Sequence, residues 1–71
     1  MEKTITTASE LGEIIRHIRT SQGCTFRGLA AECGLSPQTL QNIENGAYSP
    51  RLDIVLTILD KLGARMVISR Q

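Results

Sequence analysis

The sequence has few aromatic residues: it lacks tryptophan and holds one phenylalanine, Phe26, and one tyrosine, Tyr48, among 71 residues. Cysteine is also scarce, and Cys24 and Cys33 are too few for a disulfide framework, so we expect them to act as small apolar residues. No apolar run approaches the roughly 20 residues of a membrane-spanning helix. The N-terminus has no apolar signal region. We therefore expect a cytoplasmic protein with no membrane partner.

Excess charge of either sign is missing as well, because eight Lys and Arg face seven Asp and Glu for a net charge of +1. Charge alone therefore neither identifies nor excludes a nucleic-acid binder. The chain makes one small domain, residues 1–71, which buries only about 60% of the surface that its unfolded form exposes. A large enzyme with a deep cleft is excluded. The core must come from eight Leu, eight Ile and two Val, and a second subunit would supply burial that so small a core lacks.

Glycines divide the chain into four helical stretches. Each glycine follows residues with helical periodicity, where a left-handed residue commonly closes a helix. The glycines are Gly23, Gly34, Gly46 and Gly63. The helices are predicted over residues 8–22, 26–33, 37–45 and 50–62.

Start signals precede these helices. Thr7 and Glu10 are spaced as a capping box, in which the hydroxyl and the carboxylate each accept from the other residue's backbone amide. Ser36 is predicted to cap the third helix, with Pro37 at the first helical position where its missing N–H does no harm. Ser49-Pro50 repeats this signal before the fourth helix.

Apolar stripes at helical spacing predict the buried faces. The stripes are Leu11, Ile14, Ile15 and Ile18; Phe26, Leu29, Ala30 and Cys33; Leu40 and Ile43; and Leu52, Val55, Leu56, Leu59 and Leu62. Gly28 interrupts the second stripe at a cost of about 1 kcal/mol relative to alanine, for which close approach of another backbone is one reason.

The pattern changes to period two after Gly63, which predicts a short strand over residues 65–70. A single strand leaves its backbone groups unpaired. Thr4–Thr7 and the same strand of another subunit are the two available partners, and the sequence does not choose between them. The predicted fold class is mainly α: four helices and a short C-terminal β-strand.

The second and third helices are separated by three residues and predict a helix-turn-helix. Ala30 supplies the small residue where one helix passes beneath the other, and Gly34 tolerates the positive φ of the turn. Aliphatic side chains from both helices fill the crossing: Leu29, Leu35, Leu40 and Ile43. Any corner between two helices uses some of these devices.

Three motifs occur together between residues 11 and 62. They are Leu11-Gly12-xx-Ile15-Arg16-xx-Arg19, Thr25-xxx-Leu29-Ala30 and Gly34-Leu35-Ser36-xx-Thr39-Leu40-xx-Ile43-Glu44-Asn45-Gly46. Through them the sequence resembles the xenobiotic-response-element and Cro/C1-type helix-turn-helix family. The resemblance implies a four-helix, lambda-repressor-like domain that binds double-stranded DNA. The chain departs from the family at Phe26, where Gln often touches a phosphate, and at Pro37, where a polar residue is frequent.

The residues after Gly63 resemble the strand ending of HipB-like antitoxins, whereas the family usually continues into a fifth helix. Members of that branch dimerise through such strands and bind a HipA-like kinase toxin. The resemblance therefore implies a homodimer and a kinase-toxin partner. The implied dimer interface is Arg65, Met66, Val67, Ile68 and Ser69.

Short polar side chains on the third helix are the candidates for reading bases. Gln and Asn can each bond N6 and N7 of adenine, and the Thr methyl group can meet a thymine methyl group. The candidates are Gln38, Thr39, Gln41 and Asn42. The alternative is an ordinary solvated helix face.

Phosphates are expected to meet the backbone amides at the starts of the second and third helices, and nearby cations. The candidates are Arg16, Arg19, Thr25, Arg27, Ser36, Tyr48 and Arg51. Thr25 is also expected to cap the second helix. Glu44 is expected to form a salt bridge with Arg16 or Arg19 rather than to repel DNA.

No enzyme chemistry is indicated. The spacings of His17 to the two cysteines match no zinc module, and nothing orients the Ser, His and Asp residues for nucleophilic catalysis. No cofactor is expected. The favoured hypothesis is a dimeric repressor of the antitoxin type that binds a palindromic operator. The rival is a protein-interaction module that chiefly neutralises a toxin and binds DNA weakly.

Overall fold

A computed structural model describes residues 2–70. Met1 and Gln71, the ends of the predicted domain 1–71, lie outside the described residues. The described residues form four helices in the predicted order: α1 (Ala8–Ser21), α2 (Phe26–Cys33), α3 (Pro37–Glu44) and α4 (Leu52–Lys61). None of these helices is long and apolar enough to cross a membrane.

The helix ends confirm the role predicted for the glycines. The four glycines predicted to close helices, Gly23, Gly34, Gly46 and Gly63, have φ between 68 and 71°. The amide after each glycine donates to the carbonyl five residues earlier, at 2.8 to 3.0 Å, which is the Schellman pattern. The donor and acceptor pairs are Cys24 and Arg19, Leu35 and Ala30, Ala47 and Asn42, and Ala64 and Leu59.

The start of α1 differs from the predicted capping box in one half. The Thr7 hydroxyl accepts from the Glu10 amide at 3.1 Å, as expected. The Glu10 carboxylate reaches one residue further back, and accepts from the Thr6 amide at 2.8 Å and the Thr6 hydroxyl at 2.7 Å. The N-terminal segment is thereby tied to the first turn of α1.

The fourth helix starts later than predicted, at Leu52 instead of residue 50. Arg51 has extended backbone, with φ −62° and ψ 143°, so the turn containing Ser49 and Pro50 stays outside the helix. No side chain caps this helix.

The core lies where α3 packs on α1 and α2, and α2 packs on α4. Its buried members are Ile15, Leu29, Ala30, Leu40, Ile43, Val55, Ile58, Leu59 and Leu62. The predicted stripes are confirmed for α1 to α3. The stripe predicted for α4 is wrong in two members, because α2 covers the face of Val55 and Ile58, which leaves Leu52 60% and Leu56 46% exposed.

Two helical glycines show opposite environments. A Cβ atom on Gly12 would lie 2.5 Å from the carbonyl oxygen of Glu44, so α1 and α3 touch backbone to backbone here. The expectation of close backbone approach at Gly28 is wrong. The nearest atom to a Cβ there would be the Thr25 hydroxyl oxygen, at 3.1 Å, and no other element packs closely against it.

The strand predicted over residues 65–70 is not formed, and no strand occurs within residues 2–70. A strand requires a neighbouring backbone, and the Thr4–Thr7 segment does not supply one. Thr6 and Thr7 are instead engaged at the start of α1. The segment 64–70 continues past α4 without regular structure, and exposes 66% of Val67 and 93% of Ile68.

Candidate nucleic-acid interface

The turn between α2 and α3 has the predicted helix-turn-helix geometry. Ala30 is completely buried where the helices cross. Gly34 adopts φ 70°, and Leu35 then donates its amide to the Ala30 carbonyl at 2.9 Å. The start of α3 is therefore fixed relative to α2 by backbone geometry.

The third helix has an inner and an outer face. Leu40, Ile43 and Glu44 are buried, whereas Gln38 and Gln41 are exposed. Thr39 and Asn42 are half-buried. All four predicted base-reading residues thus belong to the side of α3 that the core leaves open.

Hydrogen bonds already order part of this outer face. Gln38 Nε2 donates to Asn42 Oδ1 at 2.9 Å. The Ser36 hydroxyl accepts from the Thr39 amide at 3.1 Å, which confirms the predicted cap, and lies 2.8 Å from the Thr39 hydroxyl. Because the Thr39 hydroxyl contacts Ser36, the methyl group is the part of this side chain that is available to another molecule.

A buried ion pair anchors the C-terminal end of α3. Glu44, with 3% of its side chain exposed, is bonded by Arg19 and approached by Arg16 Nε at 3.4 Å. Arg16 also donates to Asn45 Oδ1 at 2.6 Å. The salt bridge predicted for Glu44 is confirmed, and it involves both candidate arginines.

The guanidinium of Arg19 forms hydrogen bonds inside the protein. Its Nε and Nη2 donate to Glu44, and its Nη1 donates to the Cys24 carbonyl at 2.9 Å. The hydrogen bond to Glu44 raises the pKa of Arg19. With only 11% of its side chain exposed, Arg19 is less available to a phosphate than the other candidates.

The remaining cations lie on the surface. Arg16 is 51% exposed, and Arg51 is 79% exposed with Nη2 2.9 Å from Asp53 Oδ2. Arg27 places its guanidinium carbon 5.4 Å from the centre of the Phe26 ring. Tyr48 is 43% exposed beyond the end of α3.

The starts of α2 and α3 offer backbone donors for an anion. Thr25 accepts from the Gly28 amide at 3.1 Å, which confirms its predicted cap, as Ser36 does for α3. The Phe26 and Arg27 amides at the start of α2 have no acceptor within their helix, and the helix dipole places partial positive charge there. At the start of α3 only the Gln38 amide is left, because Pro37 has no N–H and Thr39 donates to Ser36. The start of α2 is thus suited to a phosphate, and α3 contributes one further donor.

Metal-binding side chains do not cluster in the described part of the chain. No three His, Cys, Asp or Glu residues within 2–70 are placed to hold a metal ion. Cys24 and Cys33 are free thiols that pack against the core, as expected, and burial raises the pKa of the Cys33 thiol.

An apolar groove that the sequence did not predict lies between the N-terminal segment, α1 and α4. The side chains of Ile5, Leu11, Leu52, Val55 and Met66 line it, together with the turn before α4. Met66 comes from the 64–70 segment, and Leu56 is exposed one turn along α4 from Leu52. The exposed leucines were predicted to be core, which hid this surface.

Several solved structures share this fold. The HipB–O4 20mer complex aligns with a TM-score of 0.86 at 25% identity, with 97% of both chains covered. The HipA–HipB–O2–O3 complex also gives 0.86 at 25% identity, again with 97% of both chains covered. The clp gene regulator ClgR from Corynebacterium glutamicum gives 0.81 at 27% identity, covering 89% of this chain and 67% of that chain.

The sequence matches no curated protein, but it matches a family model over most of its length. The model of the helix-turn-helix domain matches residues 10–66, which include most of α1, the other three helices and the turn between α2 and α3. The chain therefore belongs to the helix-turn-helix domain family.

Proposed function

We propose that the protein is a sequence-specific transcriptional repressor that places α3 in the major groove of a palindromic operator. One observation carries this proposal: the helix held by the turn at Gly34 presents amides and a methyl group outward while its inner face is locked in the core. The amides of Gln38, Gln41 and Asn42 match the N6 and N7 edge of adenine, and Thr39 can meet a thymine methyl group. The N-terminal half of a recognition helix is the part that meets base edges.

Phosphate contacts would position α3 without reading sequence. The amides at the helix starts capped by Thr25 and Ser36 supply neutral donors, and Arg27 and Arg51 supply exposed cations. Arg16 and Tyr48 are further candidates. Because the net charge is only +1, affinity depends on these local donors rather than on the overall field.

We further propose that the protein binds DNA as a homodimer. The predicted interface residues Arg65, Met66, Val67, Ile68 and Ser69 are all exposed. Pairing this segment with its copy in a second chain would satisfy both backbones and form the strand that a single chain cannot form. Exposed Leu52 lines the same groove as Met66, and exposed Leu56 lies one turn along α4 from Leu52, so both extend the apolar surface available to the second chain.

We propose, more specifically, that the protein is an antitoxin. A chain of the HipA–HipB–O2–O3 complex aligns over 97% of both chains, which supports a HipA-like partner. The resemblance to HipB-like antitoxins adds the expectation that this partner is a kinase toxin and that the protein represses its own small operon. The rival role is a protein-interaction module, which the apolar groove and the low net charge favour. A HipA-like reading frame beside the gene would support a toxin partner.

Selection of bound sequences from random DNA duplexes tests the DNA-binding role. The full chain should enrich a palindrome, and its affinity should fall steeply with salt because bound phosphates release counterions. The variant Gln38→Ala should lose about 1 to 3 kcal/mol on the selected duplex and little on random duplexes. No enrichment together with a shallow salt dependence would favour the interaction module.

A further inference from the structure

The side chains of Gln38 and Asn42 are joined before any DNA is bound. They are four residues apart on α3, so both lie on one side of the helix, and helical side chains lean toward the N-terminus. Asn42 thereby reaches Gln38 and accepts from its Nε2 at 2.9 Å. Asn42 is half-buried and has a short side chain, whereas Gln38 is exposed and long.

A glutamine amide has two N–H donors and one oxygen, so it can serve two partners at once. One hydrogen of Gln38 is taken by Asn42. The other hydrogen and Oε1 form the planar edge that matches N7 and N6 of adenine. When Asn42 takes the hydrogen on the side away from Oε1, the bond leaves the base-reading edge of Gln38 free and restricts its rotation.

Resting on the DNA-binding role proposed above, we propose that Asn42 is a positioning residue that holds the Gln38 amide in its adenine-reading orientation. The two residues then act on one base pair, and Asn42 does not read a separate one. Gln41 has no such bond to a neighbouring side chain within residues 2–70, so it provides the matched control on the same face.

The experiment uses the full chain and its selected operator. The adenine read by Gln38 is found as the position whose preference is lost in Gln38→Ala. Replacing that adenine with 7-deazaadenine removes the N7 acceptor. The measured quantity is the ratio of affinities for the two duplexes, which cancels any uniform change in binding.

We expect a ratio of about tenfold or more for the natural chain and near one for Gln38→Ala. Asn42→Ala should lower the ratio severalfold, and Gln38→Ala/Asn42→Ala should lower it no further than Gln38→Ala alone. Asn42→Asp keeps the acceptor and should keep the ratio, although its negative charge weakens binding to every duplex. Gln41→Ala should weaken binding to both duplexes by the same factor, because Gln41 is placed to read a different base, and should thus keep the ratio. Circular dichroism checks that each variant retains its helices.

The outcomes separate this inference from the proposed function. If no sequence is enriched, the DNA-binding role itself fails. If a sequence is enriched but Asn42→Ala keeps the natural ratio, or changes the preference at a different base pair from Gln38→Ala, the positioning role is overturned. A ratio lost equally in Asn42→Asp and Asn42→Ala would also overturn it, because the acceptor would then be irrelevant.

Discussion

Arg19 donates two hydrogen bonds to Glu44, from Nε to Oε2 at 2.7 Å and from Nη2 to Oε1 at 2.9 Å. The pair connects the last turn of α1 with the last residue of α3. Both side chains are almost entirely withdrawn from water, so neither charge has solvent as a substitute partner. The position of α3 therefore depends on an electrostatic contact as well as on its apolar inner face.

Removing the arginine of this pair should destabilise the domain strongly. Arg19→Ala leaves the buried Glu44 carboxylate with only the longer contact to Arg16, and loss of one partner of a buried pair costs about 3 to 5 kcal/mol. Arg16→Ala removes an exposed partner and should cost about 1 kcal/mol or less. Urea unfolding followed by circular dichroism measures both. If Arg19→Ala does not fold, Arg19→Leu/Glu44→Leu should recover much of the stability, and equal losses in the two single variants would contradict the assignment.

Adding one methyl group to α1 should separate two helices. In Gly12→Ala the new Cβ would lie 2.5 Å from the Glu44 carbonyl oxygen, so α3 has to shift. Overpacking of this kind costs about 1 to 3 kcal/mol, against the gain of about 1 kcal/mol in helix propensity. Gly28→Ala is the matched control, because its Cβ would approach only the Thr25 hydroxyl. Thermal unfolding should show Gly12→Ala to be clearly less stable than Gly28→Ala.

The start of α1 should contribute a pH-dependent stability. Hydrogen bonds from Thr6 hold the pKa of Glu10 below its ordinary value of 4.5. Because the folded chain favours the anion, this contribution is complete above that value and is lost as the pH falls through the lower folded pKa. Glu10→Gln should therefore destabilise the protein at neutral pH and not at strongly acid pH.

The matched control for Glu10 is Glu13→Gln, which makes the same charge change one turn later in α1. NMR titration of Glu10 in Thr6→Val should give a pKa closer to the ordinary value, because the hydroxyl donor is gone. An unchanged titration in that variant would show that Thr6 does not hold the carboxylate.

Cations beside the proposed DNA surface should control the salt dependence of binding. Arg27→Ala and Arg51→Ala should each weaken specific and non-specific binding alike, and reduce the salt slope by about one. Lys61 is another exposed cation, at the end of α4, and serves as the control. Fluorescence anisotropy over a salt series measures these slopes. A slope that falls as much for Lys61→Ala would remove the positional argument.

Charges placed on the proposed dimer surface should give monomers. Ile68→Asp in the 64–70 segment and Leu56→Asp on α4 each bring a carboxylate into an apolar contact between chains, which is unfavourable without a partner. Light scattering should report the monomer mass, and operator affinity should fall by orders of magnitude because two linked half-sites become one. Ala31→Asp, on an exposed position of α2, should remain a dimer. A monomeric natural chain would refute the dimer itself.

The features that could be predicted from the sequence are those fixed by atoms that are neighbours along the chain. The turn at Gly34 closes α2 through bonds that span three and five residues, and Ser36 starts α3 through the Thr39 amide. The outward side of α3 follows from the inward spacing of Leu40 and Ile43. These features are local and can therefore be predicted from the sequence.

The errors arose where a feature depends on distant parts of the fold or on another molecule. The exposure of Leu52 follows from the face of α4 that α2 covers, and the need for Gly12 follows from the backbone of α3. The predicted strand over residues 65–70 required a partner backbone. The sequence allowed a salt bridge from Glu44 to either Arg16 or Arg19. Only the folded structure shows that both arginines contact this carboxylate.

The division of α3 into two faces bears on how DNA preference changes during evolution. Only Leu40, Ile43 and Glu44 of this helix are buried, and the cap and the closing turn involve Ser36 and Asn42 backbone or side-chain atoms near its ends. Substitutions at exposed Gln38 and Gln41 should therefore cost little in folding, and on the proposed role of α3 they would alter the chemistry that it presents to DNA. Duplicated copies of such a domain can diverge toward new operators through a few codons, and the same two positions are the natural ones to randomise in a library.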